Sequence, residues 1–196
     1  MNNETFKHAI ALTGGIATGK STVCSLLKLH GFLTIDADKI AHALLDAHSS
    51  TIASMFGKQY VQDGKVLRKE LGKIIFSNEA NKLKLEAFIH PLIQETIEKE
   101  AVIFEAAGKP YFIDIPLFFE KMHYPISKCV VVYTPKALQL KRLMSRDQIS
   151  QEEAELKMSN QMDIEKKKEL ATFVIDNSTT LKNLQNEVER VKGELL

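Results

Sequence analysis

The run Gly14-Gly15-Ile16-Ala17-Thr18-Gly19-Lys20-Ser21 carries the plainest chemistry in the sequence. Its glycines free the backbone to turn several N–H groups toward one anion, and a helix opening at Lys20 adds the positive end of its dipole. The Lys20 ammonium then reaches the β- and γ-phosphates of a nucleotide. The Ser21 hydroxyl can ligand Mg²⁺, and Thr22 adds a hydroxyl near the α-phosphate. Gly15, Ile16, Ala17, Thr18 and Gly19 form the cradle itself. The expected ligands of such a phosphate-binding loop are ATP and Mg²⁺.

Carboxylates come next. Asp36 and Asp38 follow a short apolar run, Phe32 to Ile35. At the carboxyl end of a strand they face the crevice where open α/β sheets bind ligands, and a carboxylate there can orient an acceptor hydroxyl and take its proton. Asp36 could equally cap the helix that begins near Ala37, and Asp38 could serve that helix's first turn. Asp114 ends another apolar run, Tyr111-Phe112-Ile113, where an acidic side chain can assist Mg²⁺ indirectly, through water.

Arg142 and Arg146 are four apart on an expected helix and share a face. There they could neutralise a phosphoryl group in transfer. Helix geometry alone favours solvated arginines paired with Asp147 or Glu152. His90, before Pro91, could meet an anionic substrate or simply sit at a helix irregularity. Asn160-Gln161-Met162-Asp163 lacks the lysine of a guanine-reading motif and carries no such function. Glu165-Lys166-Lys167-Lys168-Glu169 reads as a solvated face.

The elements that must position these groups alternate. Strands are expected at His8 to Thr13, Phe32 to Ile35, Tyr111 to Ile115, Lys128 to Tyr133 and Thr172 to Ile175. Helices follow at Lys20 to His30, closed by Gly31, and at Ala37 to Ala47. Others run from Pro135, after a Thr134 cap, to Arg146, and from Thr180 to Val191. Ser150 with Glu153 predicts a capping box. Wholly apolar strands alternating with helices imply a parallel five-stranded sheet covered by helices on both faces. Ser49 to Gly108 reads as almost entirely helical, with a turn at Gln62 to Lys65 and a kink or break near Pro91.

The chain thus reads as one domain over 1–196. Its core covers about 7–48 and 109–196, with a helical insertion at about 49–108 as a candidate second lobe and a polar segment at about 147–160. With 196 residues, 44% hydrophobic and 26% charged, it can fold around its own core. A net charge of +1 gives no pull toward nucleic acid. No apolar stretch is long enough for a bilayer or a signal peptide core, so a cytoplasmic enzyme is expected. Cys24 and Cys129 lack metal-ligand spacing and read as reduced, partly buried thiols.

Taken in order, these residues resemble the dephospho-coenzyme A kinases. The resemblance covers about Ile10 to Asn177. It rests on Leu12 to Thr22, Ile35-Asp36-Ala37-Asp38, Leu67-Arg68, His90-Pro91, Asp114-Ile115-Pro116-Leu117-Phe118-Phe119-Glu120, Gln139-Leu140-Lys141-Arg142-Leu143 with Arg146-Asp147, and Val174-Ile175-Asp176-Asn177. It implies transfer of the ATP γ-phosphoryl group to the ribose 3′-hydroxyl of dephospho-coenzyme A, with Asp36 as general base and Lys20, Arg142 and Arg146 as catalytic cations. Arg68 and His90 match the substrate lobe, and Asn177 the adenine-side loop. Two departures stand out. Ala17-Thr18 replaces a more usual Gly-Ser, with little effect expected because neither side chain is needed. Lys157 replaces a lid arginine, keeping the charge but losing the bidentate fork.

Two other readings compete. A shikimate-kinase-like enzyme would share the loop and the Asp-x-Asp, but expects a glycine triplet where this chain has Asp114-Ile115-Pro116. A non-catalytic ATP-binding regulator would bind nucleotide without turnover. The expected assembly is a monomer or weak homo-oligomer acting on a small molecule.

Overall fold

The computed structural model describes residues 5–121 and 124–196. The chain divides into two compact units, residues 1–35 with 101–196 and residues 36–100.

In the first unit, β1 (Ala9–Gly14) is buried along its whole length. It lies between β5 (Tyr111–Asp114) and β6 (Lys128–Tyr133), with Leu12 in register with Asp114 and Gly14 with Val132. β7 (Phe173–Asp176) pairs with β6, and β2 (Thr34–Asp36) closes the other edge, in the order β2-β5-β1-β6-β7. The sheet is parallel and five-stranded, as the apolar strands imply. Because β1 has neighbours reached by crossovers on both sides, a crevice opens at its carboxyl end.

Strand alternation divides the core between two faces. Ile10, Leu12, Phe112, Val130, Val132 and Ile175 pack against Val23, Cys24 and Leu27 of α1 (Lys20–Leu29) and Leu184, Val188 and Val191 of α10 (Leu181–Leu195). Val131 and Tyr133 face the other way, onto Ile164 of α9 (Ile164–Leu170). Phe112 is fully buried, and its truncation to alanine would cost about 3–5 kcal/mol. Gly31 closes α1 at φ 87°, with its N–H on the Lys28 carbonyl and the Phe32 N–H on that of Leu27.

The second unit holds α2 (Ala37–Ala47), α3 (Ser49–Phe56), α4 (Arg68–Phe76) and most of α5 (Glu79–Glu105). Its own core is Ile52, Val66, Leu71 and Ile75. It begins earlier and ends sooner than the 49–108 read from the sequence. One reason is that Asp46 of α2 accepts a hydrogen bond from the Val66 N–H, 2.9 Å away, which ties α2 to this unit.

The structure differs from expectation at four further points. The second unit is not all helical: β3 (Val61–Gln62) and β4 (Lys65–Val66) form a small hairpin, turned by Asp63 and Gly64 at φ 50° and 74°. Asp-Gly supplies these left-handed conformations readily, but strands of two residues are too short to leave a period in the sequence. Of the kink or break expected at Pro91, the break is absent, and α5 runs on through the proline. Proline forfeits one hydrogen bond, to the Ala87 carbonyl, and the turns on either side carry the helix through. Thr134 does not cap α7 (Lys136–Asp147), whose N-cap is Pro135 without a side-chain bond. Lys167 is buried rather than solvated. The expected capping box is present at α8 (Gln151–Ser159), where Ser150 and Glu153 bond reciprocally.

Candidate active site

The glycine loop joins β1 to α1 and is suspended from side chains of later elements. Gly19 takes φ 88° and is the N-cap of α1. A Cβ there would collide with Asn177 Nδ2, so the position requires glycine twice over. A Cβ on Gly15 would come within 2.5 Å of Gln139 Oε1. Ala17 sits at φ 60°, where glycine is at ease and alanine carries about 1–2 kcal/mol of strain. Replacement of the more usual glycine therefore has a backbone cost that a reading from side chains alone does not register.

Donors and acceptors in the loop divide cleanly. Thr18 turns its N–H and its hydroxyl onto the Gly15 carbonyl, at 3.3 and 2.8 Å. The Ile16 N–H donates to Gln161 Oε1, 2.8 Å away. The N–H groups of Ala17, Gly19, Lys20 and Ser21 find no acceptor among the described residues. Those of Lys20 and Ser21 are the unpaired donors of a helix start. The result is an anion-binding cradle at the positive end of α1.

Lys20 and Asp114 are brought together: the ammonium is bonded to the carboxylate, both side chains being largely buried. Burial, and after it the Asp114 carboxylate, pushes the Cys24 thiol pKa up. Both cysteines are free, and both are buried rather than partly buried.

Asn177 and Arg142 meet behind the loop. Asn177 Nδ2 donates to the Thr18 carbonyl at 2.8 Å. Arg142 donates to the Asn177 carbonyl at 3.0 Å and to Thr134 Oγ1 at 3.2 Å. The Thr134 hydroxyl stands 3.2 Å from the carbonyls of both Thr18 and Asn177 and shares its proton between them. Buried Gln139 holds the Thr134 carbonyl at 2.7 Å. Arg146 goes elsewhere: it bonds exposed to Asp147 at 2.8 Å, and Lys157 reaches the same carboxylate at 2.9 Å. Hydrogen bonds from Arg146 first, then Lys157, hold the Asp147 pKa down at about 2. The pairing foreseen from helix geometry is thus realised for Arg146 and not for Arg142.

The remaining sequence candidates belong to the second unit. Asp36, the last residue of β2, caps α2 by accepting from the Lys39 N–H at 2.9 Å; its Oδ2 has no partner among the described residues. Asp38 is exposed in the first turn of α2. Arg68 pairs with Asp46 at 3.1 Å. The Asp46 carboxyl is held below its ordinary value by the Val66 N–H and then by Arg68. His90 lies half-buried within α5.

Sequence reasoning did not single out Thr134, Gln139, Gln161, Glu120 or Lys167 for a role at the loop. Gln161 lay in a stretch dismissed as a guanine-reading motif, and it indeed does something unrelated to one. Lys167 was hidden in a run of charges whose burial no local pattern reveals. Beside the loop, a cleft of about 510 Å³ is lined in part by Gly15, Ile16, Gln139, Met158 and Gln161.

For a metal, the exposed Ser21 hydroxyl and the Asp114 carboxylate are hard oxygen donors of the kind Mg²⁺ accepts. No group of three or more His, Cys, Asp or Glu stands together among the described residues. That donor set fits a cation held largely by substrate phosphates. No helix among the described residues is long and apolar enough to cross a membrane.

Comparison with known proteins supplies the family. Residues 8–183 match the family model described as Dephospho-CoA kinase. A dephospho-CoA kinase of Sulfurimonas denitrificans is 51% identical over 195 residues, covering 97% of this chain and 98% of the relative. One from Helicobacter pylori is 48% identical over 194 residues, with 97% and 98% covered. Among solved structures, the dephospho-CoA kinase of Campylobacter jejuni superposes with a TM-score of 0.70 at 37% identity, covering 96% of this chain and 97% of that one. A Thermus thermophilus protein reaches 0.83 at 30% identity, with the same shares covered. With an anion-binding cradle in place and this likeness running along nearly its whole length, the chain belongs to the dephospho-CoA kinase family.

Proposed function

We propose that this protein transfers the γ-phosphoryl group of ATP to the ribose 3′-hydroxyl of dephospho-coenzyme A, giving coenzyme A and ADP. The observation that carries the reading is the set of unpaired N–H groups at Ala17, Gly19, Lys20 and Ser21, backed by the Lys20 ammonium. Phosphoryl transfer needs positioning and charge neutralisation more than covalent participation, and this cradle supplies both.

Lys20 exchanges its bond to Asp114 for the β- and γ-phosphate oxygens as ATP enters. Bound Mg²⁺, with Ser21 as ligand and Asp114 acting through water, would offset the charge of those phosphates. Asp36 holds the acceptor hydroxyl and accepts its proton, a role supported by its unpartnered Oδ2 and its place at the end of β2. Asp38, Arg68 and His90 contribute to the binding of dephospho-coenzyme A. Arg142 acts from beside Asn177, on the nucleotide side. Arg146 acts from a lid spanning about 147–160, after leaving Asp147, and the lid shields the reaction from water as it closes. The second unit, residues 36–100, serves as the substrate-binding lobe.

The test is ATP consumption by the purified protein with Mg²⁺, offering dephospho-coenzyme A, shikimate and nucleoside monophosphates in parallel and weighing the products. A phosphorylated product from dephospho-coenzyme A alone is expected. Turnover only on another acceptor would overturn the substrate, and ATP binding with no turnover would make the protein a regulator.

A further inference from the structure

The segment following α8 grips the glycine loop at two backbone atoms. Gln161 Oε1 accepts from the Ile16 N–H at 2.8 Å. Lys167 is fully buried, and its ammonium donates to the Gly14 carbonyl at 3.1 Å and the Pro116 carbonyl at 3.3 Å and is ion-paired with Glu120 Oε1 at 2.8 Å. Glu120 also accepts from the Met162 N–H at 2.9 Å, while its Oε2 is buried without a partner among the described residues.

A loop that turns its N–H groups outward to an anion turns carbonyls inward, and each buried carbonyl needs a donor. Lys167 meets that need at Gly14 with a full charge, and charge-assisted bonds are the stronger and more directional kind. Burying a lysine completely is costly unless it is paired. This one is paired by Glu120 and spends its other protons on two carbonyls next to the loop. Gln161 does the complementary thing: it occupies one outward N–H, so that the loop offers a defined subset of its amides.

We propose that Gln161 and Lys167 are positioning residues for ATP, fixing Ile16 and Gly14 so that the N–H groups of Ala17, Gly19, Lys20 and Ser21 are held toward the phosphates. Gln161 keeps the Ile16 N–H when nucleotide is bound. The segment that leads out of the expected lid therefore sets the geometry of the phosphate site directly. This inference rests on the loop's binding ATP, as argued in the preceding subsection.

The experiment measures ATP affinity by calorimetry, both Michaelis constants, thermal midpoints without ligand, and hydrogen exchange of the Ile16 amide. Gln161→Met keeps the length of the side chain and removes the acceptor. Its expected effect is an ATP Kd raised about tenfold, the scale of one good hydrogen bond. The KM for dephospho-coenzyme A and the ligand-free midpoint stay at wild-type values. In the wild type, the Ile16 amide remains protected when ATP is added. Lys167→Met alone strands the Glu120 carboxylate and can fail to fold, so the second variant is Lys167→Met with Glu120→Gln, which removes both charges together. It too should lose ATP affinity with an unchanged KM for the acceptor.

Wild-type ATP affinity in Gln161→Met would overturn the role of Gln161, and in the double variant that of Lys167. So would an equal rise in both KM values with a lowered midpoint, the signature of general loosening. Loss of Ile16 protection on ATP addition would overturn the division of amides. A wild-type protein that binds no ATP would instead remove the function proposed above, and this inference with it.

Discussion

Lys20, the first residue of α1, is bonded to Asp114, the last residue of β5, and the carboxylate thus lies beside the anion-binding cradle with its cation paired. The two side chains are only 19% and 10% exposed, so their attraction is poorly screened by water. Removing Asp114 takes from the largely buried Lys20 ammonium the carboxylate it is paired with.

Asp114→Asn is therefore expected to lower turnover by tenfold or more and to raise the Mg²⁺ concentration that half-saturates activity. A Mg²⁺ titration of initial rates checks this, and an unchanged titration would take Asp114 out of any metal role. Lys20→Ala should weaken ATP binding and turnover together.

Asp36→Asn separates a capping role from a catalytic one. Asparagine caps a helix as well as aspartate does, so its Oδ1 can still accept from the Lys39 N–H and α2 should keep its stability. Turnover should fall about a hundredfold or more, the scale of general-base loss, at unchanged ATP affinity. Near-normal kcat in a correctly folded variant would remove Asp36 from the base role.

Ala17 and Gly19 predict opposite responses in one loop. Ala17→Gly relieves strain at φ 60° and is expected to be neutral or to stabilise by up to about 1 kcal/mol, after the added freedom of the unfolded chain is set against the gain. Gly19→Ala adds comparable strain at φ 88° and drives a methyl group into Asn177, so it should destabilise by more than about 1 kcal/mol. Urea denaturation of both variants decides the matter. Equal effects would mean that backbone strain does not govern this loop.

Asp147 gives a prediction in pH. Its pKa is depressed to about 2, so its pairing with Arg146 and Lys157 favours the folded state above the unfolded value near 3.9 and is lost as the pH falls toward 2. The carboxyl carbon of Asp147 should titrate near pH 2 by NMR in the wild type. In Arg146→Ala with Lys157→Ala it should return to about 3.9. A wild-type midpoint already near that value would show the pairing to be absent in solution.

Much of the fold was legible because it is local. α2 and β6 begin and end at the residues that the sequence indicates, and Ser150 with Glu153 forms the box its spacing predicts. β3 and β4 were not legible, being too short for periodicity, and Pro91 did not break α5 because the surrounding turns outweigh one lost bond.

The sequence by itself determined the phosphate-binding loop, the strand-helix alternation and the family, since each is written in residue types at fixed spacing. Only the tertiary structure decided the fate of the side chains that act at a distance. Arg142 and Arg146 share a helix face in sequence, yet one reaches the carbonyl of Asn177 and the other stays with Asp147. Lys167 stands among lysines and glutamates in sequence, yet its ammonium is buried on the carbonyl of Gly14. The physical reason is that a buried polar contact depends on which carbonyl or carboxylate the fold brings from elsewhere in the chain, here from 35 to 153 residues away, and no local spacing encodes that.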